Sequence, residues 1–302
     1  MNQILDELYT FKNVLESSEQ INQIDDIINF VNNKPEIGKK CYIVLHNGLG
    51  DHILMNGAIK YLSYFYNEVY IICKQHYFNC LLPFYQDFPG IKLLPLEDNG
   101  IYPTISNFVQ NGNDIFNSSF CFYFEPKVKT DNIFLKRKFT LDNPDYFAAK
   151  FYSNINLPWR ISYEYFSALQ TEKSKELKNL VKDYKVIFLH EQSSNLLLNF
   201  EPYININNQN ELYVCTNRNL YSEGIKKEIC DKFLNLDSIV HYIDTIKIAN
   251  KFLLIDSSIS CLILMLNLKE QTVTDDINIY YRGGVEINSA YRINQKIKCI
   301  MI

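Results

Sequence analysis

Two glycines and a carboxylate stand together in the run His46-Asn47-Gly48-Leu49-Gly50-Asp51-His52, directly after an apolar stretch. Glycines let a backbone turn tightly and approach a ligand, and a helix that starts behind them offers unpaired N–H groups and partial positive charge to a phosphate. Asp51 adds a proton acceptor suited to general-base chemistry. His46 and His52 flank the loop, each readable as a proton-transfer or phosphate-binding group or as a structural imidazole. Two familiar uses of such a loop are excluded by its spacing. The third glycine of a dinucleotide fingerprint falls on Ile53, and the next apolar run ends at Cys73-Lys74 without the acidic residue that holds a ribose. The lysine and hydroxyl residue of a nucleotide triphosphatase P-loop are missing as well.

The elements needed to position this loop are legible around it. Cys41 to Leu45 is a short, continuously apolar run of strand formers, the pattern of a strand buried on both faces in a parallel sheet. Helical spacing follows through Ile53, Leu54, Ala58, Ile59, Leu62 and Phe65, then strand character at Val69 to Cys73, a helix at Tyr77 to Tyr85, and strands at Ile91 to Leu94 and Phe120 to Phe124. From Lys127 to Gln170 the signals become irregular and rich in aromatics, with a basic cluster at Lys136-Arg137-Lys138 that reads first as solvated surface. The alternation restarts with a helix ending at Val181 and a strand at Val186 to His190 that runs into Glu191-Gln192-Ser193-Ser194-Asn195. Strands at Leu212 to Cys215, Ile239 to Tyr242 and Phe252 to Ile255 are expected, with helices from Gly224 to Phe233 and near Ile246.

This reads as α/β, two Rossmann-like domains with parallel sheets. The expected division is a helical N-terminal extension over 1–36, a first domain over 37–168 and a second over 169–302. A length of 302 residues suits two cores, and 47% hydrophobic with 21% charged residues is ordinary globular composition. A net charge of -4 disfavours nucleic acid as a partner. No stretch approaches the roughly 18 to 20 apolar residues of a spanning helix. Met1 to Glu7 lack the basic start of a secretory signal. A cytoplasmic location is expected, in a bacterium or, for a viral chain, in its host; the abundance of Asn, Ile, Tyr and Lys fits an AT-rich genome. Eight cysteines without a C-x-x-C pair read as core residues, not as a zinc site or disulfide framework.

Gly48-Leu49-Gly50-Asp51-His52-Ile53-Leu54-Met55-Asn56-Gly57-Ala58-Ile59 resembles the N-terminal G-x-G-D motif of the heptosyltransferase family, inverting glycosyltransferases of the GT-B type. Ile255-Asp256-Ser257-Ser258-Ile259-Ser260-Cys261-Leu262 is similar to the family's D-S-x-x-x-H segment, with Cys261 where the family has histidine. The resemblance implies a nucleotide-diphosphate sugar held mainly by the second domain, a glycan or glycoconjugate acceptor held by the first, and reaction between them. Asp51 would be the general base, with Asn47, Gly48, Gly50 and His52 forming the acceptor-side loop. Ser257 and Ser258 would stand at the helix start beside the diphosphate and Asp256 near the donor sugar. A metal ion is not implied, and no D-x-D pair occurs.

The loop after Leu189 lacks the family's glycine and basic residues, which leaves Ser193, Ser194 and Asn195 as neutral donors and turns attention to Arg218 and Arg282 for the missing cation. Plain structural roles compete throughout. Asp51, Ser257 and Ser258 can be helix caps, Asp256 can bind an adjacent N–H, and the aromatics from Tyr146 to Phe166 can pack the domain junction instead of stacking on sugars. Two further readings stay open: a GT-B-like scaffold without catalysis that binds or assembles, and another nucleotide-sugar enzyme on paired Rossmann-like domains, such as an epimerase or pyruvyl transferase.

Overall fold

In the computed structural model, residues 9–10, 12–13, 40–45, 48–97, 114–118, 147–193, 196–281 and 296–301 are described. The chain divides into two compact units, 1–39 and 40–302. Of the helical extension expected over 1–36, Tyr9, Thr10 and Lys12 are helical, and the rest lies outside the described residues.

Both sheets belong to the second unit. The first contains β1 (Lys40–Val44), β2 (Glu68–Lys74), β3 (Ile91–Leu96) and β4 (Asp114–Asn117) in the order β3-β2-β1-β4. The second contains β5 (Lys185–His190), β6 (Glu211–Cys215), β7 (Lys251–Ile255), β8 (Ile277–Tyr281) and β9 (Ile297–Met301) in the order β6-β5-β7-β8-β9. Every pairing between these strands is parallel. Cys41, Ile43, Val186, Phe188, Leu189, Phe252, Leu254 and Ile255 are all essentially inaccessible, which is why the central strands are continuous apolar runs. These are two Rossmann-like lobes.

Strand order reverses between β1 and β4 in the first sheet and between β5 and β7 in the second. Open parallel sheets bind ligands at such switch points, beyond the carboxyl ends of the strands. The glycine loop follows β1, the 191–198 segment follows β5, and Asp256-Ser257 follows β7. All three candidate loops therefore leave strands that border a reversal.

The helices that matter for the site are α1 (Leu49–Leu54), α2 (Asn56–Leu62), α3 (Phe78–Leu81), α4 (Phe147–Asn154), α5 (Ile161–Glu164), α6 (Glu172–Val181), α7 (Gly224–Asp231), α8 (Ile243–Ile248) and α9 (Ser258–Leu268). Helix α9 is apolar on all sides, with every residue from Ile259 to Asn267 buried, as expected of a helix enclosed by other elements. It packs against α1, α5 and β7.

The segment joining the lobes is gripped from both sides. Lys60 of α2 is 1% exposed and donates through Nζ to the Ser167 carbonyl at 2.8 Å and to its hydroxyl at 2.5 Å. Lys269, just beyond α9, donates to the Phe166 carbonyl at 2.8 Å. Phe151, Tyr152, Trp159 and Phe166 are buried, so these junction aromatics pack the core.

Strands β8 and β9 match no strand expected from the sequence, and three further elements differ from that reading. Ile239–Tyr242, expected as a strand, is a 3-10 turn: Ser238 upstream accepts from the Val240 N–H and the chain continues directly into α8. The strand that completes the first sheet is Asp114–Asn117; Phe120 to Phe124 lies outside the described residues. Tyr77 to Tyr85 is broken into a 3-10 turn, the short α3 and a second 3-10 turn with Pro83 in its first turn.

Candidate active site

The glycine loop reaches its position through hydrogen bonds at the end of β1. Ser118, fully buried, donates both its backbone N–H and its hydroxyl to the Val44 carbonyl, each at 3.0 Å. Asn154 of α4 in turn donates to the Ser118 carbonyl at 3.3 Å. Gly48 then takes an extended conformation, φ -100° and ψ 150°, and acts as the N-cap of α1.

Asp51 is the third residue of α1 and is half-buried. Its Oδ2 accepts from the Gly48 N–H at 2.9 Å, reaching back across the first turn as the N3 carboxylate of a capping box does. The capping role weighed for this residue is thus realised with one oxygen. His52 points into the core at 2% exposure, its ring edge-on to Tyr77 at 6.0 Å between centroids, with Nδ1 buried and, among the described residues, unbonded. Burial lowers its pKa to about 3, so the imidazole is neutral. Asn47 lies outside the described residues.

Gly50 is where the two motifs meet. A β-carbon there would lie 3.0 Å from Cys261 Sγ and 3.6 Å from the Ser258 backbone, so the absence of a side chain lets α1 seat directly on the first turn of α9. Gly57 serves the same purpose one helix later, since its β-carbon would stand 2.3 Å from the Ile161 carbonyl of α5. The sequence separation of Gly50 and Cys261 hides this contact, and two short motifs in different lobes become one surface.

At the start of α9, Ser257 is the N-cap. Its N–H donates to the Ser260 hydroxyl at 2.8 Å and its own hydroxyl accepts from the Ser260 N–H at 3.5 Å. Ser258 is half-buried at the first helical position. The Asp256 N–H donates to the Tyr280 carbonyl at 3.3 Å, which fixes the loop to β8. An eleven-residue helix entering at this point brings unpaired N–H groups and positive dipole potential to the region beside Gly50.

The loop after β5 is a small hairpin. Gln192 bridges Leu197, Ser193 N–H donates to the Leu196 carbonyl at 2.8 Å, and Leu198 N–H donates to the Glu191 carbonyl at 2.9 Å. Ser193 is thereby placed in the arm of the hairpin; Ser194 and Asn195 lie outside the described residues. Arg218 is committed elsewhere: it pairs with Glu191 through two hydrogen bonds, with Glu201 through Nη1 at 2.6 Å and with Asn199 at 2.8 Å. Burial pushes the Glu191 carboxyl up, but the hydrogen bonds from Arg218 and the Phe200 N–H outweigh it and hold the pKa below the usual carboxylate range. Arg282 lies outside the described residues. Nearby, His190 shares a 2.5 Å hydrogen bond with Thr216, and burial lowers its pKa to about 4.

Sequence reasoning missed Ser118 and Asn154, and it assigned no individual role to Tyr152, one of the junction aromatics, or to Glu191. Glu191 was quoted only as part of a polar loop, although a carboxylate directly after an apolar strand is a usable signal for a buried ion pair. A separate groove of about 470 Å³, lined by Asn79, Leu82, Gln86, Gln170, Thr171 and His241 among others, contains none of the donor or acceptor candidates. Among the described residues no group of three His, Cys, Asp or Glu side chains is arranged to hold a metal ion, and no helix is long and apolar enough to cross a membrane.

Fold and loops together define an α/β protein of paired Rossmann-like lobes whose glycine-loop helix abuts a capped helix of the second lobe. No protein-family model matches the chain, and no curated protein sequence does. Among solved structures it is similar to the E. coli heptosyltransferase WaaC with ADP, at 9% identity over 87% of this chain and 93% of that one, with a TM-score of 0.43. A likeness of that size concerns the course of the backbone and transfers no residue roles.

Proposed function

We propose that this chain is an inverting glycosyltransferase that needs no metal ion and moves a sugar from a nucleotide-diphosphate sugar to a hydroxyl of a glycan or glycoconjugate. The observation that carries the reading is the seating of Gly50 against Ser258 and Cys261, which packs the first turn of α1, the turn that contains Asp51, against the first turn of α9. In the reaction, Asp51 takes the acceptor hydroxyl's proton as that oxygen attacks the anomeric carbon. The bond from that carbon to the diphosphate oxygen breaks on the opposite face, and the leaving group departs with the electron pair. Charge developing on the diphosphate is met by the free N–H groups of α9 and by the Ser257 and Ser258 hydroxyls, with Asp256 beside the donor sugar. Ser193 extends this donor side from the hairpin after β5.

A second reading, a GT-B-like scaffold that binds without transferring, is favoured by one observation. Arg218, the cation assigned to the donor, is held by two carboxylates. Thermal shift with UDP, GDP, ADP, CMP and dTDP separates the two readings, because a ligand of the native state raises its stability with the logarithm of saturation. Transfer predicts stabilisation by one nucleoside diphosphate, retained in Asp51→Asn, together with loss of sugar transfer in that variant. Full transfer by Asp51→Ala would remove the carboxylate from the mechanism. Stabilisation by a nucleotide with no turnover of its sugar would leave the binding scaffold.

A further inference from the structure

Tyr152 is fully buried in α4, yet its hydroxyl ends in the middle of another helix. It donates to the Leu54 carbonyl at 2.8 Å and accepts from the Ala58 N–H at 3.3 Å. Leu54 and Ala58 are four residues apart, so in an uninterrupted helix that carbonyl and that N–H would bond to each other. The phenol oxygen occupies the place of that bond. The backbone ladder runs up to Met55 and resumes beyond it: Met55 N–H reaches the Asp51 carbonyl at 3.0 Å and Ile59 N–H reaches the Met55 carbonyl at 3.1 Å, while the bond that Asn56 would make to His52 is not formed.

The consequence is a break at Met55, whose φ of -88° and ψ of -1° depart from helical values, and the division of 49–62 into α1 and α2. Insertion of a side chain into the helical ladder is a recognised cause of kinks. The segment contains no proline, and Gly57 faces α5, not the break. The two halves have different tasks. Helix α2 is pinned to α5 at Gly57 and to the connecting segment through Lys60, while α1 carries Asp51 and lies on α9. Their separate directions are set where the Tyr152 hydroxyl enters.

We propose that Tyr152 is a positioning residue for sugar transfer: by splitting the helix at Met55 it aims α1, and with it the Asp51 carboxylate, at the acceptor hydroxyl. The proposal rests on Asp51 being the general base. Tyr152→Phe removes the hydroxyl and keeps the ring, leaving Leu54 and Ala58 free to bond directly and straighten the helix. The test compares wild type, Tyr152→Phe and Asp51→Asn in release of nucleoside diphosphate from UDP-glucose, GDP-mannose and ADP-glucose, alongside amide hydrogen exchange at Ala58.

The expected result for Tyr152→Phe is cooperative unfolding, slower exchange at Ala58, and kcat lower by about tenfold to a hundredfold, as sub-ångström to ångström misplacement of a catalytic group produces. The donor KM should change by less than about threefold, since donor contacts lie on the other lobe. A Tyr152→Phe enzyme with wild-type kcat, beside an inactive Asp51→Asn, would overturn the positioning role and leave the reaction assignment standing. Undiminished turnover in Asp51→Asn, or a wild type inert to all three donors, would overturn the base assignment and this inference with it. Loss of cooperative unfolding in Tyr152→Phe would also overturn it, by making the hydroxyl a requirement of folding.

Discussion

Arg218 and Glu191 form a two-pronged pair, Nε to Oε2 at 2.6 Å and Nη2 to Oε1 at 2.9 Å, with the glutamate 1% exposed and the arginine 34% exposed. The pair ties the strand ends of β5 and β6 together and holds the hairpin that contains Ser193. Removing the arginine strands a buried carboxylate, which costs about 3 kcal/mol where one partner stays partly solvated. Arg218→Ala should therefore lower the melting temperature by several degrees, measured by calorimetry, and Arg218→Lys should recover only part because an ammonium cannot make the forked contact. If nucleotide-induced stabilisation is unchanged in a folded Arg218→Ala, the arginine has no part in donor binding.

Gly50→Ala places a methyl group 3.0 Å from Cys261 Sγ. The helices must move apart by a few tenths of an ångström, at a cost of about 1 kcal/mol. Transfer activity should fall more than stability does. Cys261→Ala alone removes the sulfur that the methyl meets, so the double variant Gly50→Ala with Cys261→Ala should be more active than Gly50→Ala. Strict additivity in this cycle would show that the contact is not felt.

Gly57→Ala is a harsher change, because the obstacle is the backbone carbonyls of Ile161 and Ser162 at 2.3 and 2.4 Å. Neither can rotate away as a side chain would. Destabilisation of about 1–3 kcal/mol is expected from urea unfolding, and a variant as stable as wild type would mean that α2 and α5 do not pack this closely.

His52 supplies a pH dependence of definite sign. Burial holds its pKa at about 3 against an ordinary 6.5. Between these values the unfolded chain binds a proton that the folded chain refuses, so stability is complete above pH 6.5 and is lost as pH falls toward 3, by up to about 1.4 kcal/mol per unit. Among the described residues its Nδ1 has no partner, so His52→Phe forfeits no hydrogen bond to them there. That variant should show a shallower acid limb in melting temperature against pH, and an unchanged limb would place the imidazole in contact with water.

Legibility followed how local each cause is. Cys41 to Leu45, Val186 to His190 and Phe252 to Ile255 announced themselves because a strand covered on both faces has no polar face to interrupt the run. Asp114–Asn117 has only Ile115 and Phe116 as buried residues, too few for a pattern. Ile239–Tyr242 shows the reverse error, since four apolar-leaning residues suit a strand or one helical turn and only the Ser238 cap distinguishes them. In the site, Gly48, Asp51 and Ser257 carry local roles and could be read. Tyr152 could not: its partners Leu54 and Ala58 are nearly a hundred residues away, and nothing in a tyrosine's neighbours reveals which helix its hydroxyl will enter.

The ammonium groups of Lys60 and Lys269 belong to different lobes, yet both clasp the same few carbonyls of the connecting segment, at Ser167 and Phe166. The covalent link is thus duplicated by a noncovalent rivet. A protease nick beside this stretch need not release the lobes as separate bodies, and the two fragments should copurify more weakly once pH rises past about 8, where burial lets Lys60 lose its charge.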